Sequence, residues 1–476
     1  MLSFLCMTML AGVKADGSIK IRPIDDMRRS KVNAATCASE KLKCDTIDAL
    51  MDAMRATALA AQEEIGLFKA DIDSAYRRVP ILPRDRDLAY VVYMFEGVPQ
   101  VSGHLACPFG SISSVHNWDR IGSLLRAIAR RILHIIVLRY VDDFFGPDRL
   151  ASASNAMAVF ARLVRACLGD DSISPRKTEC GNPLVILGVL ATASRDGATF
   201  VPSPDKVDKW LITINRILEE HVLESGAASK LSGQLQWGTQ RMFHRAGRMM
   251  IRPIMDQIYS KSSKVRTELS LALRWWREVL KLNLVERRLW HIDKREQLHL
   301  FVDARSTPPR LAAVLVGDGI VEFCDMEPEE SVLSNFRRRG DNQIMSLELL
   351  SIALGVCSFA QRLAGRNGVI WSDNTGAEIA TEKGTTKNFD QGCVVHCLWR
   401  RFLELHMNVW IMRVPTDDNI SDEPSREYYD TLWRLPGAKR VSPLLDDSFK
   451  TMQAWESLSF AGVRGLKRAV SPESRQ

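Results

Sequence analysis

No segment of this 476-residue chain is apolar for long enough to cross a membrane, none repeats internally, and no low-complexity tract interrupts it. Those absences set aside integral membrane proteins, solenoids and extended linkers. Ten cysteines are present without a single C-x-x-C pair, the spacing that most often marks a zinc or dithiol site. Cys393, His396 and Cys397 fall in a segment of helical character, where a buried helix face is the simpler reading than a metal site. Reduced thiols suit an intracellular protein, cytoplasmic or nuclear alike. Charge of one sign is not in large excess either: a net +7 means that any polyanion must be held by local patches. With 46% hydrophobic residues, the length suits two or three domains with ordinary cores.

What is present begins with Tyr140, Val141, Asp142 and Asp143, set between the apolar runs Ile135 to Leu138 and Phe144 to Phe145. Two adjacent acids flanked by strand-forming residues predict the tip of a β-hairpin, and acids there are costly unless they hold a cation. Upstream, Phe68 to Ile81 reads FKADIDSAYRRVPI, an Asp ending a strand, then a small residue and an aromatic. Alone, the first motif is a solvated turn and the second a strand running into core. In this order and spacing they resemble the carboxylate motifs of reverse transcriptases.

The resemblance implies that Asp71, Asp142 and Asp143 hold divalent cations, magnesium with manganese as the alternative, because hard cations take oxygen ligands converging from separate strands. It implies that Ala75 and Tyr76 form the floor under the incoming sugar, with the Tyr76 ring excluding a 2′-hydroxyl and so selecting deoxynucleotides. Cys107 to Asp119, CPFGSISSVHNWD, resembles the template-and-nucleotide loop before a palm helix, with Phe109 where many relatives carry Gln. That helix is expected from Val115, Trp118, Ile121, Leu125, Ile128 and Ile132.

Lys20 to Asn33, KIRPIDDMRRSKVN, resembles the fingers strand whose Arg neutralises the triphosphate, a role that falls to Arg22. Asp16 and Gly17 would turn the chain from a partner strand at Met7 to Val13. The apolar start, Met1 to Val13, lacks the basic region that precedes a secretory segment. Further fingers sequence is expected upstream, making this a segment of a longer polyprotein. Ala153, Met157, Phe160, Val164 and Cys167 suggest a second palm helix, SPRKTE places Lys177 near the nucleotide phosphates, and PLVILGVLA puts Leu187 and Gly188 at a primer-grip turn.

From Asp205 helices dominate: Val207, Trp210, Ile214, Ile217 and Leu218 mark one amphipathic face, and Leu231 to Ile254 a further helical stretch. Lys230, Arg241, Arg245, Arg248, Arg252, Lys261, Lys264 and Arg266 face only Asp256 in number, a bias that fits a phosphate-tracking surface and equally a solvated basic face. The segment LSGQLQWGTQRMFHRAGRMMIRPI resembles that of retrotransposons with tyrosine recombinases, the DIRS-like group among LTR-type elements.

After Gln297, the strands Leu298 to Ala304, Leu311 to Val316, Ile320 to Cys324, Val369 to Asp373 and Val409 to Val414 alternate with helical segments. Asp303 ends the first, Glu348 sits in the first turn of a helix beginning near Ser346, Asp373 ends the fourth, and Asp422 starts a helix in DNISDEPSR. This set resembles the four carboxylates of ribonuclease H, which the resemblance makes metal ligands for cleaving the RNA of a hybrid. Arg305, Pro308 and Pro309 depart from the small residues usual after the first Asp, and Asp325 to Met345 forms a long, partly basic connection.

The fold expected is an α+β right-hand polymerase followed by an α/β ribonuclease H-like domain with a mixed five-stranded sheet. Its parts would be truncated fingers and palm over 1–203, helical thumb and connection over 204–296, the nuclease over 297–432, and a partly disordered tail over 433–476. The resemblance implies an RNA-directed DNA polymerase coupled to ribonuclease H for retrotransposon replication. Its partners would be an RNA template, a DNA primer or RNA:DNA hybrid and deoxynucleoside triphosphates, with a separate integration enzyme. Two other readings stand beside it: an inactive or domesticated nucleic-acid-binding relic with a degenerate nuclease, and a group II intron or telomerase-type polymerase, against which the nuclease motifs argue.

Overall fold

The computed structural model describes residues 7–13, 19–173, 178–242, 245–281, 285–291, 294–337 and 343–450. Two compact units emerge, Met1–Thr199 with Arg287–Trp290, and Phe200–Glu286 with His291–Gln476. The boundary expected at 297 does not separate units. Helices from 204 onward share one hydrophobic core with the nuclease-motif strands, from Trp210 and Trp276 to Leu300 and Leu350. Among the described residues no helix is long and apolar enough to cross a membrane.

The first unit opens with the antiparallel hairpin β1 (Met7–Val13) and β2 (Ile19–Asp25), whose turn at Asp16 and Gly17 lies outside the described residues. Short α1 (Val32–Ala35) precedes α2 (Ile47–Ala61), whose Thr46 cap accepts from the Ala49 amide. Then come β3 (Ile65–Asp71), the hairpin β4 (Tyr90–Phe95) and β5 (Val98–Gly103), α3 (Ile112–Arg131), β6 (Leu138–Tyr140), β7 (Asp143–Arg149) and α4 (Ala153–Leu168). A four-stranded sheet runs β6-β7-β3-β8, with β8 at Glu179–Gly181. β3 is the apolar centre of that sheet, so it reads as a nearly continuous hydrophobic run. A second sheet, β12-β11-β10-β9, contains β9 (Leu184–Ile186), β10 (Val189–Ala193), β11 (Gly197–Pro202) and β12 (Glu286–Leu289). Leu187 and Gly188 form the two-residue turn between β9 and β10, both at positive φ, which matches the strand twist.

In the second unit α5 (Pro204–Glu220) buries Trp210, Ile214 and Ile217 at helical spacing. The single stretch expected over Leu231 to Ile254 is two helices, α6 (Ser225–Met242) and α7 (Arg248–Ile258), because Gly247 turns left-handed at φ 82°. A Cβ there would lie 2.7 Å from the Trp275 ring. α8 (Thr267–Lys281) follows. The sheet has the order β17-β16-β13-β14-β15-β18, made of β13 (Leu298–Ser306), β14 (Pro309–Gly317), β15 (Ile320–Met326), β16 (Asn367–Ser372), β17 (Asn408–Arg413) and β18 (Lys439–Arg440). It is mixed, as expected, but six-stranded. The sixth strand is too short to leave a periodicity in the sequence.

The long connection after Asp325 contains α9 (Glu330–Arg337). α10 (Ile344–Ser358) is buried on every side from Ser346 to Cys357 and lies against β13 and β14. It begins two residues earlier than expected, so Glu348 sits just past its first turn. Short α11 (Ala360–Leu363), α12 (Thr375–Lys383), α13 (Phe389–Glu404), α14 (Asp422–Ser425) and α15 (Asp430–Arg434) complete the unit. On α13, Cys393, His396 and Cys397 form a buried face, with the His396 ring edge-on to Trp275 at 5.4 Å. Burial pushes the Cys397 thiol up to about 12 and the His396 imidazole down to about 3.

Candidate active sites

In the first unit, antiparallel pairing of β3 with β7 sets Asp71 directly opposite Asp143. β6 and β7 meet at Tyr140 and Asp143, leaving Val141 and Asp142 as a two-residue turn. The Asp142 carbonyl accepts from the Ile72 amide at 3.2 Å, so the β7 side of the turn is tied to the end of β3. The three acids expected from the motifs therefore come to one end of one sheet. Val141 stands at φ 55°, a left-handed conformation that a β-branched residue adopts only at a cost of about 1–3 kcal/mol. Its carbonyl accepts from Trp118 Nε1 at 2.9 Å and from Arg139 Nη1 at 2.9 Å.

Ala75 is buried and Tyr76 lies beside it in a short 3₁₀ helix after Asp71. The Tyr76 ring meets Phe109 edge-on at 5.4 Å, so the nonstandard Phe109 is a packing partner of the expected sugar floor. Burial raises the Tyr76 hydroxyl above its usual range, and the Asp142 charge adds to the rise, which places that acid near the ring. The loop around Phe109 is clasped from the side: Asp25 donates its amide to the Phe109 carbonyl, and Asn33 donates to the Gly110 carbonyl and accepts from the Ile112 amide. Gly110, at φ 100°, would drive a Cβ to 2.1 Å from the Asp25 carbonyl oxygen, so only glycine fits. Arg22 lies on β2 opposite Leu10, with its side chain outside the described residues, as is all of Lys177.

In the second unit Asp303 on β13, Glu348 on α10 and Asp373 after β16 offer carboxylate oxygens that all lie within 4.8 Å of one another. Asp303 and Glu348 are buried, and burial, reinforced by neighbouring acids, pushes Asp303 up to about 7 and Glu348 well above the carboxylate range. Glu348 Oε2 is buried without a hydrogen-bond partner. Clustered hard oxygens, mutual repulsion and an unsatisfied buried acceptor are what a divalent cation relieves, so this donor set fits one.

Asp422 is also close: its charge raises Asp303, while Arg426 holds its Oδ1 with Nη2 at 2.8 Å. It does not belong to the tight triad. Two further residues position these acids. Ser351 donates to the Asp303 carbonyl at 2.7 Å, and Asn419 reaches the Val302 carbonyl at 3.0 Å, anchoring the segment that carries Asp422. Asn419 could have been found by its place three residues before Asp422, whereas Ser351 is hidden in an apolar helix.

The basic stretch after α5 is partly committed to packing. Arg248 donates to the Lys383 carbonyl at 2.8 Å, Arg245 lies over the Trp399 ring, and Arg252 pairs with Asp256 at 3.0 Å. Lys230, Lys261, Lys264 and Arg266 are exposed, and the Arg241 side chain lies outside the described residues.

No protein-family model matches the chain, and no curated protein matches it. Among solved structures it is similar to a foamy viral protease-reverse transcriptase dRH in complex with ds DNA, at 16% identity and a TM-score of 0.46, over 86% of this chain and 65% of that one. A foamy viral protease-reverse transcriptase in complex with RNA/DNA hybrid gives 13% identity and a TM-score of 0.43, over 86% of this chain and 50% of that one. Another in complex with dsDNA gives 16% identity and a TM-score of 0.44, over 86% and 78%. The chain thus spans less than two thirds of the first two relatives' length.

Proposed function

We propose that this chain is an RNA-directed DNA polymerase coupled to ribonuclease H cleavage of RNA:DNA hybrid, serving replication of an LTR/DIRS-like retrotransposon. The observation that carries the reading is the register of β3 and β7, which sets Asp71 against Asp143 with Asp142 in the adjoining turn. That register supports the reading because it brings together acids from motifs far apart in the chain.

Asp71, Asp142 and Asp143 would hold magnesium, or manganese, at the polymerase centre, and Asp303, Glu348, Asp373 and Asp422 at the nuclease centre. Bound there, a divalent cation supplies Lewis acidity toward phosphate oxygens. Tyr76, braced by Phe109, bars a 2′-hydroxyl and so selects deoxynucleoside triphosphates. Arg22 and Lys177 would meet the triphosphate. Exposed Lys230, Lys261, Lys264 and Arg266 supply cations for an RNA template and its primer or hybrid strand. Integration falls to a separate enzyme.

Purified protein should extend a DNA primer on RNA with magnesium and deoxynucleotides, and cleave the RNA of a hybrid. Asp142→Asn should lower extension about 100-fold or more and leave cleavage intact; Asp303→Asn should do the reverse. Wild type that binds hybrid but neither extends nor cleaves would leave a binding relic instead.

A further inference from the structure

We infer that Arg139 is a positioning residue for the acid pair, acting by holding the Val141 peptide in its left-handed turn. The inference rests on the polymerase reading of Asp142 and Asp143. Arg139 is 1% exposed, although it lies one residue before the exposed Tyr140. Burying a guanidinium is unfavourable beside an apolar side chain of similar volume, so its retention calls for a geometric task.

Its contacts define that task. Nη2 pairs with Asp119 of α3, lies 3.5 Å from Ser123 Oγ and reaches the Lys43 carbonyl at 3.4 Å, while Nη1 is spent on the Val141 carbonyl. The Arg139 backbone is fixed as well, its amide donating to Asp45 Oδ2 at 2.8 Å and its carbonyl accepting from the Asp45 amide at 2.8 Å. Arg126 holds the same Asp45 oxygen at 2.7 Å. α3 leaves room for the side chain: a Cβ on Gly122 would sit 2.8 Å from Arg139 Cδ. A carbonyl has two lone pairs, and both at Val141 are taken, one by Trp118 and one by Arg139. The peptide plane between Val141 and Asp142 is thereby locked to α3, and with it the direction in which Asp142 leaves the turn.

The role predicts a specific rescue. Glycine adopts the left-handed turn freely, so Val141→Gly should lessen the need for the clamp. Arg139→Gln should lower kcat for primer extension by about 10–100-fold, as a misplaced catalytic group does, with KM for deoxynucleotide little changed. Adding Val141→Gly to Arg139→Gln should recover most of that loss. Gly122→Ala, which crowds Arg139 without removing a charge, should mimic the single variant more weakly. Hybrid cleavage in the same preparations and near-ultraviolet circular dichroism report the fold. Unchanged kcat in Arg139→Gln, or a loss that Val141→Gly does not relieve, would overturn the inference, as would loss of the dichroism signal in both Arg139→Gln and Gly122→Ala. Absence of extension by wild type would instead sink the polymerase reading. The clamp would then be judged by manganese binding in the Asp303→Asn background, which Arg139→Gln should weaken if the clamp places Asp142 and leave unchanged if it does not.

Discussion

Asp303 and Glu348 are carboxylates held where a charge is poorly solvated, and their protons report it. Asp303 carries a folded-state value of about 7, against 3.8 for the ordinary side chain, chiefly through burial. Folded chain therefore keeps a proton that unfolded chain has lost between about pH 4 and 7. Over that window the unfolded state binds fewer protons, so stability without a divalent cation falls as pH rises, by on the order of 4 kcal/mol for a shift this large. Asp303→Asn should flatten this fall when denaturant midpoints of variant and wild type are compared across the window. Added magnesium should offset most of it at the upper end of the window, because the ionised acids are the ligands, and 100-fold excess over Kd is worth about 2.7 kcal/mol. A magnesium effect equal in wild type and Asp303→Asn would show that the cation binds elsewhere.

At the scale of elements, the segment after α14 is part of the six-stranded sheet. β18 pairs in parallel with β15, Arg440 holds buried Asp325 at 2.6 Å, and Leu445 and Phe449 enter the main core of the unit. Phe449→Ala should cost about 3 kcal/mol in urea unfolding, the usual range for a buried aromatic, while Lys450→Ala, which loses only surface pairs with Glu329 and Asp447, should change little. Equal effects would mean that this segment is not packed against the core. This segment was hard to read because β18 has two residues and its burial comes from scattered side chains. β13 to β17 were legible because alternation or continuous apolarity marks each strand, and Asp303 and Asp373 because they interrupt or follow those apolar runs. α3 was legible as a helix but not as a face. Its large apolar residues suggested the buried side, yet Ser114, Gly122 and Ala129 are buried with Trp118 and Leu125, while Ile132 is 68% exposed. Gly122 faces inward because Arg139 fills the space beside it, and a buried arginine leaves no apolar signal.

At the scale of the whole molecule, the division into two units separates the two acid clusters: Asp71, Asp142 and Asp143 belong to one, Asp303, Glu348 and Asp373 to the other. Each unit has its own hydrophobic core, around Phe68, Trp118 and Phe160 in the first and around Trp276, Leu300 and Leu350 in the second. Separate cores unfold as separate cooperative blocks, so a single unfolding free energy does not describe the chain. Calorimetry should show two transitions. Arg139→Gln should shift only the one belonging to the first unit, and Phe449→Ala only the other. The magnesium shift that depends on Asp303 should follow the Phe449-sensitive transition, since the cation stabilises only the block whose unfolding destroys its site. A single transition moved by both substitutions would mean that the units unfold together, and neither acid cluster could then be altered without disturbing the stability of the other's unit.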